Sequence, residues 1–213
     1  LSPIRPGSGV HTHCHPPPAR ISVKKPSRLV PMRNNINTKA YWDERFASGS
    51  WEKNRGRTQT ADFARGQIPF LRIPADFTGT LLDFGCGLGD AFPIYRRQYP
   101  RATLIGMDLS ASAVALCHRE YGRIATFLQG DHTAAPRSDI IIASNVFEHL
   151  SDDQQVARVL LTACTSLKII VPYKEYPPTF VPPAGAEHVN IHYDEASFRE
   201  LGPCETTVFP CRG

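Results

Sequence analysis

What is scarce in these 213 residues narrows the field first. No apolar run approaches the roughly 18 residues that a membrane span needs, so no span is expected. The six cysteines, at positions 14, 86, 117, 164, 204 and 211, include no C-x-x-C pair, which argues against a zinc cluster or a dithiol redox motif. Reduced thiols packed as small hydrophobes are the simpler account and point to a cytoplasmic location. Acidic residues are missing altogether from positions 1–33, which carry Arg5, Arg20, Lys24, Lys25, Arg28 and Arg33. Those six more than account for the formal net charge of +4, because the rest of the chain is mildly acidic. A basic nucleic-acid footprint would have to come from this tail alone, and no nucleic-acid partner is expected.

The same stretch is proline-rich, with PPP at 16–18, and has no period that would bury a face. It reads as a disordered extension outside the working fold, with Met32 a plausible start of the folded part. The segment HTHCH, His11 to His15, is the one metal-like grouping. Ligands so close in sequence do not readily close a tetrahedral site, and no metal site is expected. The remainder, 34–213, has the length of one α/β domain.

What is abundant is concentrated at 80–90. A short apolar run, Thr80 to Phe84, carries one acid, Asp83, and then breaks into Gly85, Cys86, Gly87, Leu88 and Gly89 before a helix-compatible segment begins at Asp90. This reads as strand, tight turn and helix start, with glycines where backbone must come close to a ligand. A dinucleotide fingerprint would need a glycine at the sixth position and a helix N-terminus ready for diphosphate. Asp90 stands there instead, which disfavours a nicotinamide dehydrogenase without eliminating it. The pattern D-x-G-x-G-x-G resembles that of class I S-adenosylmethionine-dependent methyltransferases. The resemblance implies S-adenosyl-L-methionine as cofactor, held by Asp83, Gly85, Cys86, Gly87 and Gly89.

Alternation of strands and helices from 80 to 172 predicts an α/β, doubly wound, mostly parallel Rossmann-like sheet with ligands at the strand carboxyl ends. Ala102 to Leu109 reads as the second strand, ending in Asp108, 19 residues past Gly89. An acid there can accept both hydroxyls of a ribose, with Leu109 beside it, while Ser110 suits the cap of a helix over 111–121. A third strand, 125–129, leads to Asp131 and His132, where the resemblance places contacts to adenine. A fourth, 139–144, leads to Asn145, Val146, Phe147, Glu148, His149 and Leu150. This run is similar to the family's N/S-x-x-E-H-L segment, which implies Asn145, Val146 and Phe147 in the cofactor pocket. His149 is a candidate general base, against a structural role for the Glu-His pair. A helix over 152–164 capped by Ser151, a fifth strand 167–172, a helix over 194–201 and an edge strand 205–209 complete the expectation.

Before the core, Tyr41, Trp42 and Phe46 recur at helical spacing, and a second helix is expected over 62–71. The pattern Y-W-D-x-R-F, then Trp51 and R-x-Q-T with Arg57 and Gln59, resembles lid helices of small bacterial methyltransferases; packing into the core is the competing account. After the core, a proline-rich loop over 174–190 exits through EHVNIHY. This resembles the acceptor side of methyltransferases from sugar and polysaccharide gene clusters. Trp51, His188, His192 and Tyr193 are the acceptor-binding candidates; metal ligation with Glu187 and helix capping compete for the histidines. The function expected is methyl transfer to a small polar acceptor, such as a sugar hydroxyl. A non-catalytic methyltransferase-like binding protein is the alternative from another class.

Overall fold

Five apolar runs form a parallel sheet in a computed structural model that describes residues 8–14, 36–177 and 179–210. These strands are β2 (Thr80–Phe84), β3 (Thr103–Asp108), β4 (Thr126–Gln129), β5 (Ser138–Ser144) and β6 (Cys164–Pro172). Two antiparallel additions, β1 (Ser8–Cys14) and β7 (Cys204–Pro210), extend the sheet to the order β4-β3-β2-β5-β6-β1-β7. Strand order reverses between β2 and β5, which opens a crevice at their carboxyl ends where open α/β sheets receive ligands.

The strands are apolar on both faces because both faces are covered. Successive residues point to opposite sides: Leu81 and Ile142 join a core with Phe92, Tyr95 and Phe127, whereas Leu82 and Ile141 join one with Phe147, Leu160 and Phe198. The flanking helices are α4 (Phe92–Gln98), α5 (Ala111–Tyr121) and α6 (Asp153–Ala163). Ser110 caps α5 as its sequence position suggested, accepting from the Ala113 N–H at 3.1 Å. Three helices precede the sheet: α1 (Lys39–Ala47), α2 (Ser50–Lys53) and α3 (Gly56–Leu71).

Four local expectations need correction. Residues 8–14, assigned to a disordered tail, form β1 between β6 and β7; the rest of 1–33 lies outside the described residues. Asp152 rather than Ser151 occupies the cap position of α6, and no side chain caps it. The helix expected over 194–201 is reduced to a single 3-10 turn, Arg199–Leu201, because Asp194 bonds the Ala196 N–H and Ser197 and closes a local turn instead. Cys164, read as helical, begins β6.

Candidate cofactor site

Backbone at 85–89 takes the left-handed conformation at every other residue: φ is +75° at Gly85, +53° at Gly87 and +79° at Gly89. The Gly85 and Cys86 N–H groups both donate to the Met107 carbonyl, at 2.8 and 3.0 Å, which binds the turn to the end of β3. A methyl group added at Gly85 would come within 2.4 Å of Val146, and one at Gly87 within 3.7 Å of the Phe46 ring. The turn is therefore a strip of bare backbone facing one side chain from the post-β5 segment and one from α1. Cys86 is buried in contact with Cys117, which pushes its thiol well above the ordinary range and keeps it neutral.

Three carboxylates surround this strip, each in a different state. Asp83, at 5% exposure, has no hydrogen-bond partner among the described residues, and burial, then the nearby Asp108, pushes it up to about 8. Asp108 spends one oxygen on the Gly87 N–H at 2.8 Å and the other on the Ser110 N–H at 2.9 Å. Burial raises its pKa against those two bonds. Asp131 is exposed and uses one oxygen on the N–H and hydroxyl of Thr133, which lowers its pKa; the other oxygen is not engaged among the described residues. Leu109 and His132 are half-buried next to Asp108 and Asp131. Asp90, the residue that spoke against diphosphate, accepts from Tyr121 at 2.8 Å and pairs with Arg57 at 3.5 Å.

Beyond β5 the chain turns sharply. Asn145 adopts φ +55°, uncommon for a residue with a side chain, with its N–H held by the Ile170 carbonyl at 2.9 Å. Val146 reaches the glycine turn, but Phe147 does not: its ring is fully buried against Phe198 on the opposite face of the sheet. Phe147 is thus a core residue, and its expected place in the pocket is corrected. Tyr193 is corrected likewise, since its ring is buried and its hydroxyl donates to Phe147 O and Asp153, both at 2.9 Å.

The lid helices gather over the turn. Trp42, Phe46 and Trp51 pack on one another at centroid distances of 5.7–6.4 Å and on Leu88 of the glycine turn. Arg57 bridges Glu120 of α5 at 2.8 Å and Asp90, while Gln59 is half-buried on α3. Sequence reasoning missed Asp43, which accepts from the Ser110 hydroxyl at 2.8 Å and the Ser112 N–H at 3.2 Å and so ties α1 to the start of α5.

His149 sits under Trp42 at a centroid distance of 5.2 Å, with Nδ1 3.0 Å from the Glu187 carbonyl. Burial, and then the charge of His188, lower its pKa to about 3, so the ring is neutral and a weak proton acceptor. Its neighbour Glu148 is buried and pushed up to about 7 by that burial. His188 lies 4.9 Å from His149 between ring centroids and is hydrogen-bonded to Glu175. Burial alone would depress His188, but Glu175 and the surrounding carboxylates outweigh it and raise its pKa. His192 is exposed, bonded to the Phe180 carbonyl at 3.0 Å, and lines an open groove of about 520 Å³ with Lys174, Glu175, Tyr176, Pro177 and Asp194. Glu187, weighed as a metal ligand, instead accepts from Tyr41 and pairs with Arg45 at 3.0 Å.

Residues 82–167 match a family model described as Methyltransferase domain. Among curated proteins, the chain is 30% identical over 93 residues to trans-aconitate 2-methyltransferase of Azoarcus sp. strain BH72, covering 42% of this chain and 36% of that protein. It is 41% identical over 71 residues to ribosomal RNA small subunit methyltransferase C of Stutzerimonas stutzeri strain A1501, covering 32% of this chain and 21% of that protein. The match thus spans about a third or less of these relatives. A solved S-adenosylmethionine-dependent methyltransferase from Aquifex aeolicus shares the fold, with a TM-score of 0.52 at 15% identity over 72% of this chain and 93% of that one. The acid-glycine turn lies inside the segment that matches the methyltransferase-domain model, and the sheet around it has the fold of the Aquifex aeolicus methyltransferase.

Proposed function

We propose that this chain binds S-adenosyl-L-methionine above the turn at 85–89 and transfers its methyl group to a small polar acceptor. The observation that carries this reading is Asp83: a buried carboxylate without a partner, beside bare backbone, is destabilised until a cation reaches it. The residues present fit the cofactor. Asp83 would face its ammonium, and Asp108 keeps lone pairs free on both oxygens for a ribose diol. The unengaged oxygen of Asp131 is available to an adenine amino group. Val146 and Leu109 would supply the apolar walls, and the lid cluster of Trp42, Phe46 and Trp51 would exclude water.

The bound cofactor supplies a methyl group already activated by its sulfonium. The protein's part is then alignment and desolvation, which needs few acid or base groups and agrees with the neutral, deeply placed His149. The acceptor would approach from the side of His188 and the groove at Lys174, Glu175 and His192. A polar lining there suits a hydroxyl- or carboxylate-bearing small molecule, the sugar hydroxyl of the sequence reading among them.

Calorimetric titration with S-adenosylhomocysteine tests this directly. One equivalent should bind, and Asp108→Asn should weaken binding about tenfold or more, the loss of a charge-assisted bond worth about 1.5–3 kcal/mol. A folded wild-type protein that takes up none would overturn the proposal.

A further inference from the structure

Glu148, His149 and His188 each offer a ligand atom, and the three atoms lie within 4.8 Å of one another. Hydrogen bonds decide which atoms remain to be shared. A carbonyl oxygen can only accept, so the 3.0 Å contact from His149 Nδ1 to Glu187 O places the proton on Nδ1 and leaves Nε2 with its lone pair. His188 Nδ1 lies 2.8 and 3.0 Å from the two oxygens of Glu175 and donates to that carboxylate, which commits its Nε2 to the other side of the ring. Glu148 is 1% exposed, and its Oε2 is buried with no hydrogen-bond partner among the described residues.

Each of the three residues thus brings one ligand atom into one small region, where Glu148 Oε2 has no hydrogen-bond partner among the described residues. Unsatisfied buried acceptors are costly, and a cation removes the cost. The arrangement is also rigid. The Glu148 carbonyl accepts from both Val189 N at 2.8 Å and Asn190 N at 3.0 Å, which clamps the loop carrying His188 onto the turn carrying His149.

We propose that Glu148, His149 and His188 form a binding site for a divalent transition metal ion of the zinc, iron(II) or manganese(II) class, with Glu175 and the Glu187 carbonyl orienting the two imidazoles. Mixed nitrogen and oxygen ligands suit these ions rather than calcium or magnesium. Hydrogen bonds from the non-ligating ring nitrogens to a carboxylate and a carbonyl are what ligating histidines require of their surroundings. Bond lengths of roughly 2.0–2.2 Å need the three groups to draw together slightly, by side-chain rotation. Three protein ligands leave a position open to water or an oxygen-bearing ligand. The site does not depend on the methyl-transfer reading, and its test uses no cofactor.

The test titrates cobalt(II) chloride into the 213-residue chain after treatment with a chelator. His11→Gln, His13→Gln and His15→Gln are introduced in every sample, so that this sequence cluster supplies no competing imidazoles. One equivalent should bind with visible ligand-field bands and no thiolate charge-transfer band, and zinc(II) chloride should displace it. Glu148→Gln and His188→Asn should each weaken binding at least tenfold, and Glu175→Gln, which touches no metal, by about 10–100-fold. X-ray absorption of the zinc-loaded chain without those two ligand substitutions should show two imidazoles, which keeps the test decisive if they impair folding. Absence of stoichiometric uptake, uptake indifferent to both substitutions, or fewer than two imidazoles would overturn the proposal. Those outcomes would leave a proton shared between Glu148 and His188 as the resolution of the cluster.

Discussion

Asp83 shows how one side chain carries both stability and binding. Its carboxyl, pushed up to about 8 by burial and by Asp108, keeps a proton between pH 4 and 8 that the unfolded chain, titrating near the ordinary value of about 3.9, has already lost. The folded state binds more protons across that window, so stability falls as pH rises. Denaturant unfolding at pH 5 and pH 7.5 should show the decline, with Asp83 contributing a slope of up to about 1.4 kcal/mol per pH unit. Asp83→Asn should flatten the profile; an unchanged slope in that variant would remove Asp83 as its source. The sequence made this residue legible because its acid lies inside an apolar strand just before three alternating glycines. It did not separate Val146 from Phe147. Adjacent residues in a tight turn face opposite ways, and only the packing of Phe198 decides which one enters the core. Glu148 was legible as part of a Glu-His pair, but not its convergence with His188, since α6, β6 and the proline-rich loop intervene and the fold alone closes that gap.

At the scale of elements, the lid is held by polar contacts as much as by its aromatic face. Asp43 joins α1 to α5 through the Ser110 hydroxyl and the Ser112 N–H, and the Lys39 bond first, then Ser110, lower its pKa to about 2. Its ion pair with Lys39 is exposed and contributes little; the bonds across to α5 are the ones that matter. Asp43→Ala should cost about 1.4 kcal/mol of local stability. Hydrogen exchange would read this as roughly tenfold faster exchange of amides in 39–47, with the sheet amides unaffected. Equal acceleration throughout the molecule would mean that Asp43 supports the whole fold and not the lid. The aromatic spacing of 41, 42 and 46 announced a helix. The Asp43 latch was hidden because its partners lie beyond two strands and three helices, and a contact so distant in sequence leaves no local periodicity.

For the whole molecule, β1 decides how the sheet ends. Its residues pair with β6 on one side, Thr12 opposite Ile169, and with β7 on the other, Thr12 opposite Thr206. Nothing in SGVHTHC reads as a central strand, because the apolar partners that make one are contributed by β6, from the far half of the chain. Among the described residues β7 has no other strand partner, so removing β1 would uncover β6 and strand β7 together. Proline at Thr12, which is 2% exposed, deletes a ladder donor in an interior strand, where the ring is not tolerated. Thr12→Pro should therefore cost about 1–3 kcal/mol for the groups left unpaired. At roughly 2–4 °C per kcal/mol for a chain of this length, Tm should fall by about 2–12 °C. A Tm unchanged by Thr12→Pro would mean that β1 contributes no interior pairing, and that the sheet closes on β6 without it.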